Sequence, residues 1–241
     1  MKAPAYLTMQ YFKVRQKIFK QVRTTIFMKR GEIKAIIFDV GGVLVLGVKL
    51  KKSKYDGELH HTEVHEGIAR ELKIPLDQWF DAIDTIYSKS IEGKVSRAKT
   101  LKIISRNVNT SIKKLEKIVI KAYKRNFKQN KQLFKKAFEL KKKGYKIAVL
   151  SDQWYLSKEA LMPKELYKKF DKVIVSCDVG MRKPNPKMYK LILKKLKISA
   201  KQALFIDNQE WNIKPARKIG ENTILYRNNE QLFKELDKLG I

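Results

Sequence analysis

The fold is decided by residues 33–46, which read IKAIIFDVGGVLVL. The apolar run that ends at Phe38 is typical of a central strand in a parallel sheet, buried on both faces. Asp39 follows at the carboxyl end of this strand, where open α/β sheets bind their ligands. Gly41 and Gly42 carry no side chains, so an anion can approach the backbone N–H groups of the turn. The stretch predicts an anion site beside a carboxylate, although an aspartate that only caps a turn has the same local pattern.

The composition is that of a folded and strongly basic chain. Of the 241 residues 44% are hydrophobic, enough for one domain with an insertion or for two small domains. The formal net charge of +30 raises the question of nucleic acid, which basic proteins bind by releasing phosphate counterions. Ten of the 54 basic residues are Arg and the remaining 44 are Lys, spread over nearly every segment without a specific nucleic-acid-binding signature. We interpret the charge as a lysine-rich surface that attracts anionic substrates such as phosphate esters.

Cysteine content and hydropathy bear on the compartment. Cys177 is the only cysteine, so the chain has no disulfide framework and is expected to be cytoplasmic. No apolar run is long enough to predict a transmembrane segment.

Residues 1–30 form a basic N-terminal extension with the pattern of an amphipathic helix. A membrane-surface or targeting helix, a helix packed on the domain, and a simple extension in front of it all fit that pattern.

A helical insertion is predicted over residues 49–127. Four apolar stripes at helical spacing are centred near Val64, Trp79, Leu101 and Leu115. Asp77 is a plausible N-cap of the second helix, and Ser111 precedes the fourth. Four short helices with brief connections indicate a small bundle.

His61 and His65 lie in the first of these helices, one helical turn apart, which is a spacing compatible with a metal site. No cysteine and no further histidine except His60 accompanies them. We interpret the cluster as a solvent-facing helix surface, with a substrate-facing role as the alternative.

Strands and helices alternate after the insertion. A fifth helix ends at Gly144, and strands are predicted at 146–150, 172–175, 203–206 and 223–226. Helices are predicted at 159–169, 186–196, 211–219 and from 230 onward. Strands separated by helices imply parallel pairing through right-handed crossovers. We therefore predict an α/β fold, a doubly wound parallel sheet built from residues 31–48 and 128–241.

Polar residues follow three further strands of this sheet. Ser151 and Asp152 follow the second strand, Lys183 lies in the loop after the third, and Asp207 and Asn208 end the fourth. All of them are expected at the sheet edge that carries the first carboxylate. A nucleophilic carboxylate, a hydroxyl, a lysine and a second carboxylate are the groups that phosphoryl transfer requires. Each also has a structural explanation: Ser151 can close a turn, Lys183 can be a surface lysine, and Asp207 can cap a helix.

Taken together, four segments resemble the motifs of the haloacid dehalogenase (HAD) superfamily of hydrolases. In chain order they are residues 38–44, residues 150–152, residues 180–186 with Tyr189, and residues 205–208 with Asn212. The resemblance covers residues 33–228 and is closest to subfamily I, whose helical C1-type cap follows the first strand. It implies a Rossmann-like core with the insertion as its cap, and a phosphatase-like activity.

The resemblance also implies roles for individual residues. Asp39 would attack phosphorus and form an aspartyl-phosphate intermediate. Ser151 would donate a hydrogen bond to a phosphoryl oxygen, and Lys183 would neutralise charge on the phosphate and on the nucleophile. Asp152 and the backbone of Gly41 and Gly42 would complete the phosphate-binding site, and Asn212 would support the fourth motif.

Magnesium is the implied cofactor, held by Asp39, the carbonyl of Gly41, Asp207 and Asn208. Two residues depart from the family pattern. Phosphatases of the family usually have a second aspartate, a general acid and base, where this chain has Gly41, so protonation of the leaving group is unassigned. Asn208 replaces a common aspartate and removes one negative charge from the metal site.

From these residues we expect a Mg²⁺-dependent phosphomonoester hydrolase that acts on a small phosphorylated metabolite. One alternative is a non-catalytic HAD-like protein that binds phosphate or has a regulatory role, because Gly41 and Asn208 have ended turnover. A 2-haloacid dehalogenase also lacks the second aspartate and needs no metal, but usually carries an aromatic residue where this chain has Gly41. In a further alternative, the basic surface and N-terminal helix bind nucleic acid or anionic lipid.

Overall fold

The computed structural model describes residues 33–47, 51–52, 59–60 and 62–241. The basic extension predicted for residues 1–30 lies outside this part of the chain, and so does His61. Strands within the described residues are β1 (Ala35–Phe38), β2 (Val45–Gly47), β3 (Lys51–Lys52), β4 (Leu59–His60), β5 (Phe127–Gln129), β6 (Lys146–Ser151), β7 (Lys172–Val175), β8 (Ala203–Asp207) and β9 (Asn222–Leu225). The helices are α1 (Thr62–Leu72), α2 (Leu76–Ile91), α3 (Arg97–Asn107), α4 (Ile112–Asn126), α5 (Lys131–Lys142), α6 (Tyr155–Leu161), α7 (Lys164–Tyr167), α8 (Ser176–Val179), α9 (Pro186–Leu196), α10 (Glu210–Lys218) and α11 (Asn229–Lys238).

Strand β1 is the middle strand of a parallel five-stranded sheet with the order β7-β6-β1-β8-β9. Phe38 at its end is in register with Val149 of β6 on one side and with Ile206 of β8 on the other. The chain thus continues in opposite directions from β1, and Asp39 leaves the sheet at its topological switch point. The predicted doubly wound parallel α/β sheet is confirmed.

Both faces of β1 are covered, which explains its unbroken apolar sequence. Ala35 and Ile37 belong to a core cluster formed with α9 and α10. Ile36 and Phe38 belong to the cluster on the other face, where α5, α11 and the inserted helices pack. All four side chains are fully buried. The strand that carries Asp39 is therefore held from both sides.

Helices α1 to α4 form the predicted insertion between the first strand and the rest of the sheet. Their apolar faces meet in one cluster with residues of β1, represented by Ile68, Trp79, Leu101 and Leu115. The fourth helix begins after Ser111 as predicted, and Ser111 caps it, since its side chain accepts a hydrogen bond from the Lys114 backbone N–H.

Two local predictions in the helices are wrong. Asp77 is not the N-cap of α2, which begins after Pro75, and its carboxylate instead accepts a hydrogen bond from Gln78 N–H in the first turn. The single helix predicted over residues 159–169 is two helices, α6 and α7. Pro163 separates them, because a proline disfavours helical backbone in the residue before it.

The two connections of the insertion pair with each other, which the sequence analysis did not predict. Strands β2 and β5 form an antiparallel ribbon in which Leu46 is opposite Lys128. Asn130, just beyond β5, donates from its backbone to the Leu44 carbonyl and from its side chain to the Val43 carbonyl. The turn after Asp39 is thereby fixed by the segment that returns from the insertion.

No helix in the described part of the chain combines the length and the apolar character needed to cross a bilayer.

Glu221, which directly precedes β9, is a buried carboxyl at the sheet edge opposite Asp39. It is 3% exposed, and neither of its side-chain oxygens has a hydrogen-bond partner among the described residues. Burial raises the pKa of Glu221 to about 8, because an unpaired charge is poorly solvated inside a protein. The carboxyl therefore makes folding depend on pH.

We expect Glu221→Gln to stabilise the protein in a pH-dependent way. Well below pH 4.5, the ordinary pKa of the group, the carboxyl is protonated in both states, and the substitution has little effect. Between there and about pH 8 the unfolded chain ionises while the folded chain keeps its proton, so the wild type loses stability relative to the variant. The difference in unfolding free energy between the variant and the wild type grows to about 2–4 kcal/mol and levels off above about pH 8.

Urea unfolding at a series of pH values measures this difference. Glu230→Gln is the control, since Glu230 is exposed and paired with Lys234. A stability difference for Glu221→Gln that does not change between pH 5 and 8 would contradict the prediction.

Candidate active site

The centre of the candidate site is an ammonium group held between two carboxylates. Lys183 Nζ lies 3.0 Å from Asp39 Oδ1 and 2.6 Å from Asp207 Oδ2. The residues are 3%, 7% and 0% exposed, respectively. β1 and β8 position the two carboxylates at neighbouring strand ends, and the loop before α9 brings in the lysine. Three predicted site residues are therefore in direct contact, and Lys183 is not a surface lysine.

Asp207 is fixed by further hydrogen bonds. Its Oδ1 accepts from the Gln209 backbone N–H at 2.8 Å, and its Oδ2 accepts from the Asn212 side chain at 3.0 Å. Tyr189 in turn donates to the backbone carbonyl of Asn212. Both oxygens of Asp207 thus have hydrogen-bond donors, which fix the position of this carboxyl group.

Burial and charge act in opposite directions on the central pair. Burial raises the pKa of Asp39 to about 6, with the Asp207 charge adding to the effect and the Lys183 ammonium opposing it. Burial alone would lower the pKa of Lys183, but the carboxylates of Asp39, Asp207 and Asp152 together raise it above its ordinary value. The lysine therefore remains a cation at the centre of the site.

Ser151 ends β6 and is buried beside this centre. Gln153 Nε2 donates to Ser151 Oγ at 3.3 Å, so the hydroxyl proton is free to point elsewhere. Ser176 holds Gln153 in place by accepting from its N–H and donating to its carbonyl. Gln153 was not among the predicted residues, since only its position directly after Asp152 marks it in the sequence.

Asp152 connects the end of β6 to the lysine loop. Its Oδ1 accepts a hydrogen bond from the Lys183 backbone N–H at 3.1 Å, and the side chain is partly exposed. Burial raises the pKa of Asp152, and the charge of Asp207 adds to this rise while Lys183 and Arg182 oppose it.

The two glycines after Asp39 have different surroundings. Gly42 has a φ of +80°, and the Asn208 side chain occupies the space that a Cβ at Gly42 would need. Gly41 has no positive φ, and a Cβ built there meets no atom within 4 Å. Glycine is thus required at position 42, because a side chain there would clash with Asn208 and be strained by the positive φ. Gly41, by contrast, leaves open space two residues after Asp39.

Two buried oxygens at this edge could serve a cation. Asn208 Oδ1 receives no hydrogen bond from the described residues, and Asp39 Oδ1 faces the Lys183 ammonium at 3.0 Å. Among those residues no three His, Cys, Asp or Glu side chains are grouped to hold a metal ion. A hard cation bound by one carboxylate, one amide oxygen, backbone carbonyl and water fits the donors that are present.

His65 does not belong to a metal site. Its Nδ1 accepts a hydrogen bond from Trp79 Nε1 at 2.9 Å, and its ring also packs near Phe80. Burial lowers the pKa of His65 to about 4, so the ring is neutral. The expectation of a solvent-facing histidine is corrected: this residue is part of the packing between α1 and α2.

A cavity of about 350 Å³ opens on Lys183. It is lined by residues 180–185 and by Glu92 and Lys94 from the turn between α2 and α3. Gly93 in this turn packs against residue 177 so closely that a Cβ would lie 2.6 Å from the Cys177 carbonyl oxygen. The turn between α2 and α3 of the insertion therefore contacts α8, which follows β7, beside the residues that line the cavity.

The fold and the site define a doubly wound α/β protein with a buried carboxylate at the switch point of its sheet. Residues 33–220 match the family described as "Hydrolase: haloacid dehalogenase-like hydrolase". The chain belongs to this family.

Relatives are found among both sequences and structures. Mouse bifunctional epoxide hydrolase 2 is 33% identical over 188 residues, which are 75% of this chain but 32% of that protein. The chain thus spans about a third of the length of this relative. Glyceraldehyde 3-phosphate phosphatase from Methanocaldococcus jannaschii is 32% identical over 96 residues, 37% of this chain and 40% of that one.

A HAD family enzyme from Bacteroides thetaiotaomicron, solved with magnesium and inorganic phosphate, has the same fold. The TM-score is 0.63 at 19% identity, over 83% of this chain and 99% of that chain.

We expect alanine to lower the stability of the protein at Gly42 but not at Gly41. Gly42→Ala places a side chain against Asn208 at a positive φ and should cost about 1–3 kcal/mol of folding free energy. Gly41→Ala meets no neighbour and should leave stability unchanged or raise it slightly. Thermal unfolding of the two variants under one buffer condition measures the difference, and equal loss of stability in both would contradict this account of the turn.

Proposed function

We propose that the protein is a Mg²⁺-dependent phosphomonoester hydrolase that acts on a small phosphorylated metabolite through an aspartyl-phosphate intermediate. The observation that carries the proposal is the contact of Lys183 with Asp39 and Asp207 at the switch point of the sheet. A cation beside a buried carboxylate suits the attack of an anionic nucleophile on a phosphate dianion, because it reduces the repulsion between them.

The chain's own groups account for the steps of such a reaction. Asp39 attacks phosphorus with a carboxylate oxygen and is phosphorylated as the ester P–O bond breaks and the alcohol leaves. Lys183 Nζ holds the nucleophile and offsets negative charge on the phosphoryl oxygens. Ser151 has its hydroxyl proton free, since Gln153 is already the donor between them, and it donates to a phosphoryl oxygen. Water then attacks the phosphorus and releases inorganic phosphate.

Magnesium would be held by Asp39, Asn208, the Gly41 carbonyl and Asp207. The donors of Asp207 already include Lys183, Gln209 N–H and Asn212, so Asp39 and Asn208 are the side chains best placed to contact the ion. When bound, the ion supplies positive charge that orients the phosphate and stabilises the charge developing on it. The Bacteroides relative, with magnesium and phosphate, supports this choice of ion.

The cavity beside Lys183 supports a small anionic substrate, and its lining includes Lys183 but not Asp39. About 350 Å³ accommodates a small metabolite. Lys94 and Arg182 at its mouth favour an anionic ligand, although Glu92 is paired with Lys94. The phosphatase among the sequence relatives supports a phosphate ester. In this proposal residues 49–127 act as a cap over a core of residues 31–48 and 128–241, and exclude water from the site.

The same proposal places the protein in the cytoplasm, a reducing compartment that suits its single free thiol, Cys177.

Phosphate release from 4-nitrophenyl phosphate and from a panel of sugar and nucleotide monophosphates tests the function, with and without Mg²⁺. We expect metal-dependent turnover that Asp39→Asn lowers by at least about 10³-fold, since the amide cannot act as the nucleophile. Asp171→Asn serves as the control, because Asp171 lies at the opposite edge of the sheet and accepts a hydrogen bond from Ile147 N–H.

A folded wild type without turnover on any ester would contradict the enzymatic proposal. Binding of a phosphate analogue such as vanadate or tetrafluoroaluminate without turnover would then favour the non-catalytic alternative. Halide release from 2-chloropropionate would favour the dehalogenase.

A further inference from the structure

The cavity beside Lys183 is larger than a phosphate group alone needs. Its volume of about 350 Å³ is that of a site for a small organic ligand. In the function proposed above, on which this inference rests, the phosphate ester contacts Lys183 Nζ. The rest of the cavity is then left for the remainder of the substrate, so the residues that line it bear on the chemistry of that remainder.

Three cationic side chains line the cavity, and carboxylates neutralise two of them. Lys183 lies between Asp39 and Asp207. Lys94 forms an ion pair with Glu92, at a distance of 2.5 Å between Nζ and the carboxylate oxygen. Among the residues that line the cavity, all of which the structure describes, Glu92 is the only acid. Its charge is already balanced by Lys94.

Arg182 is the third of these cations and has different surroundings. Within the part of the chain that the structure describes, no carboxylate forms an ion pair with its guanidinium and no acceptor takes a hydrogen bond from it. The side chain is exposed, while the backbone carbonyl of Arg182 accepts a hydrogen bond from Asn185 N–H. The cavity thus has a surplus positive charge, carried by a loop whose backbone is fixed.

The charge of Arg182 acts on both sides of the cleft between the insertion and the sheet. It acts on Tyr87 and Glu92 in the insertion and on Asp152 at the end of β6. Interactions between charges weaken with distance, so the guanidinium lies near both walls of this cleft. A ligand that occupies the cavity can therefore reach it.

We propose that the substrate carries a second anionic group, a carboxylate or a second phosphate, and that Arg182 binds this group. A guanidinium presents parallel N–H groups that match the oxygens of either anion. Lys183 and Arg182 are adjacent in the chain and line the same small cavity, so the carbon skeleton between the two anions is short. The substrate is the phosphate ester of a small hydroxy acid, or a small bisphosphate, rather than the phosphate of a neutral alcohol.

Two esters with the same three-carbon skeleton test this assignment. 3-Phosphoglycerate has a carboxylate where glycerol 3-phosphate has a neutral hydroxymethyl group, and we expect the wild type to prefer 3-phosphoglycerate. In Arg182→Gln we expect kcat/KM for 3-phosphoglycerate to fall about 10–100-fold and that for glycerol 3-phosphate to change less than about 3-fold, since only the carboxylate loses a charged partner. Because Arg182 is exposed, the substitution should leave the protein folded.

Two further variants separate binding by the guanidinium from a general effect of charge. Arg182→Lys keeps the charge but not the paired N–H groups, and we expect it to recover part of the loss on 3-phosphoglycerate. Arg106→Gln is the matched control, since Arg106 is also exposed but does not line the cavity. We expect it to leave the ratio of the two esters unchanged.

A second pair of esters distinguishes the two anions. Fructose 1,6-bisphosphate and fructose 6-phosphate differ by one phosphate, and a preference for the bisphosphate that Arg182→Gln removes would identify a phosphate as the second group. A preference confined to 3-phosphoglycerate would identify a carboxylate. Equal kcat/KM within both pairs in the wild type, or a preference that survives Arg182→Gln, would overturn the assignment.

Failure of the proposed function has a different signature, in which the wild type hydrolyses none of these esters. Calorimetric titration of Asp39→Asn with 3-phosphoglycerate and with glycerol 3-phosphate then still tests the second anion site, because it measures binding without turnover. Tighter binding of 3-phosphoglycerate that is lost when Arg182→Gln is added would support the site, and equal affinities would overturn it.

Discussion

The structure of the site depends on one buried ion cluster, in which the ammonium of Lys183 lies between the carboxylates of Asp39 and Asp207. Two carboxylates at adjacent strand ends would repel each other strongly in an interior that water does not reach. The ammonium offsets that repulsion, and the charges in turn keep it protonated. Burial of such a cluster carries a desolvation cost, so the ion cluster by itself is weak evidence of a contribution to stability.

Around this cluster, each loop is fixed by a neighbour. Asp152 at the end of β6 binds the backbone of the lysine loop, and Asn212 in α10 binds Asp207 at the end of β8. Asn208 fills the space above Gly42 in the first turn. These contacts position polar groups before any ligand arrives. Preorganisation of this kind reduces the reorganisation that a reaction would otherwise require.

Much of the fold and the composition of the site could be predicted from the sequence. A run such as 35–38 has no polar face, which favours a strand covered on both sides, and parallel pairing then places every strand end at one edge. The β2–β5 ribbon could not be predicted, because three-residue strands separated by about eighty residues carry no periodic signal. Gln153 and the packing of His65 were missed for a related reason: their roles come from partners on other elements. Both mistaken helix boundaries lie next to a proline. Pro75, and not Asp77, directly precedes α2, and Pro163 separates α6 from α7 within the segment predicted as one helix.

The β2–β5 ribbon determines how the insertion is attached to the rest of the molecule. The whole insertion leaves and re-enters the sheet through two paired strands of three residues each. Those strands are joined to the turn after Asp39 by Asn130, whichever helices lie beyond them. Exchange of the segment distal to the ribbon would leave this anchor in place, but it would replace the apolar side chains that pack on Ile36 and Phe38. The ribbon and the apolar face of the insertion therefore fix β1 and its turn in two independent ways.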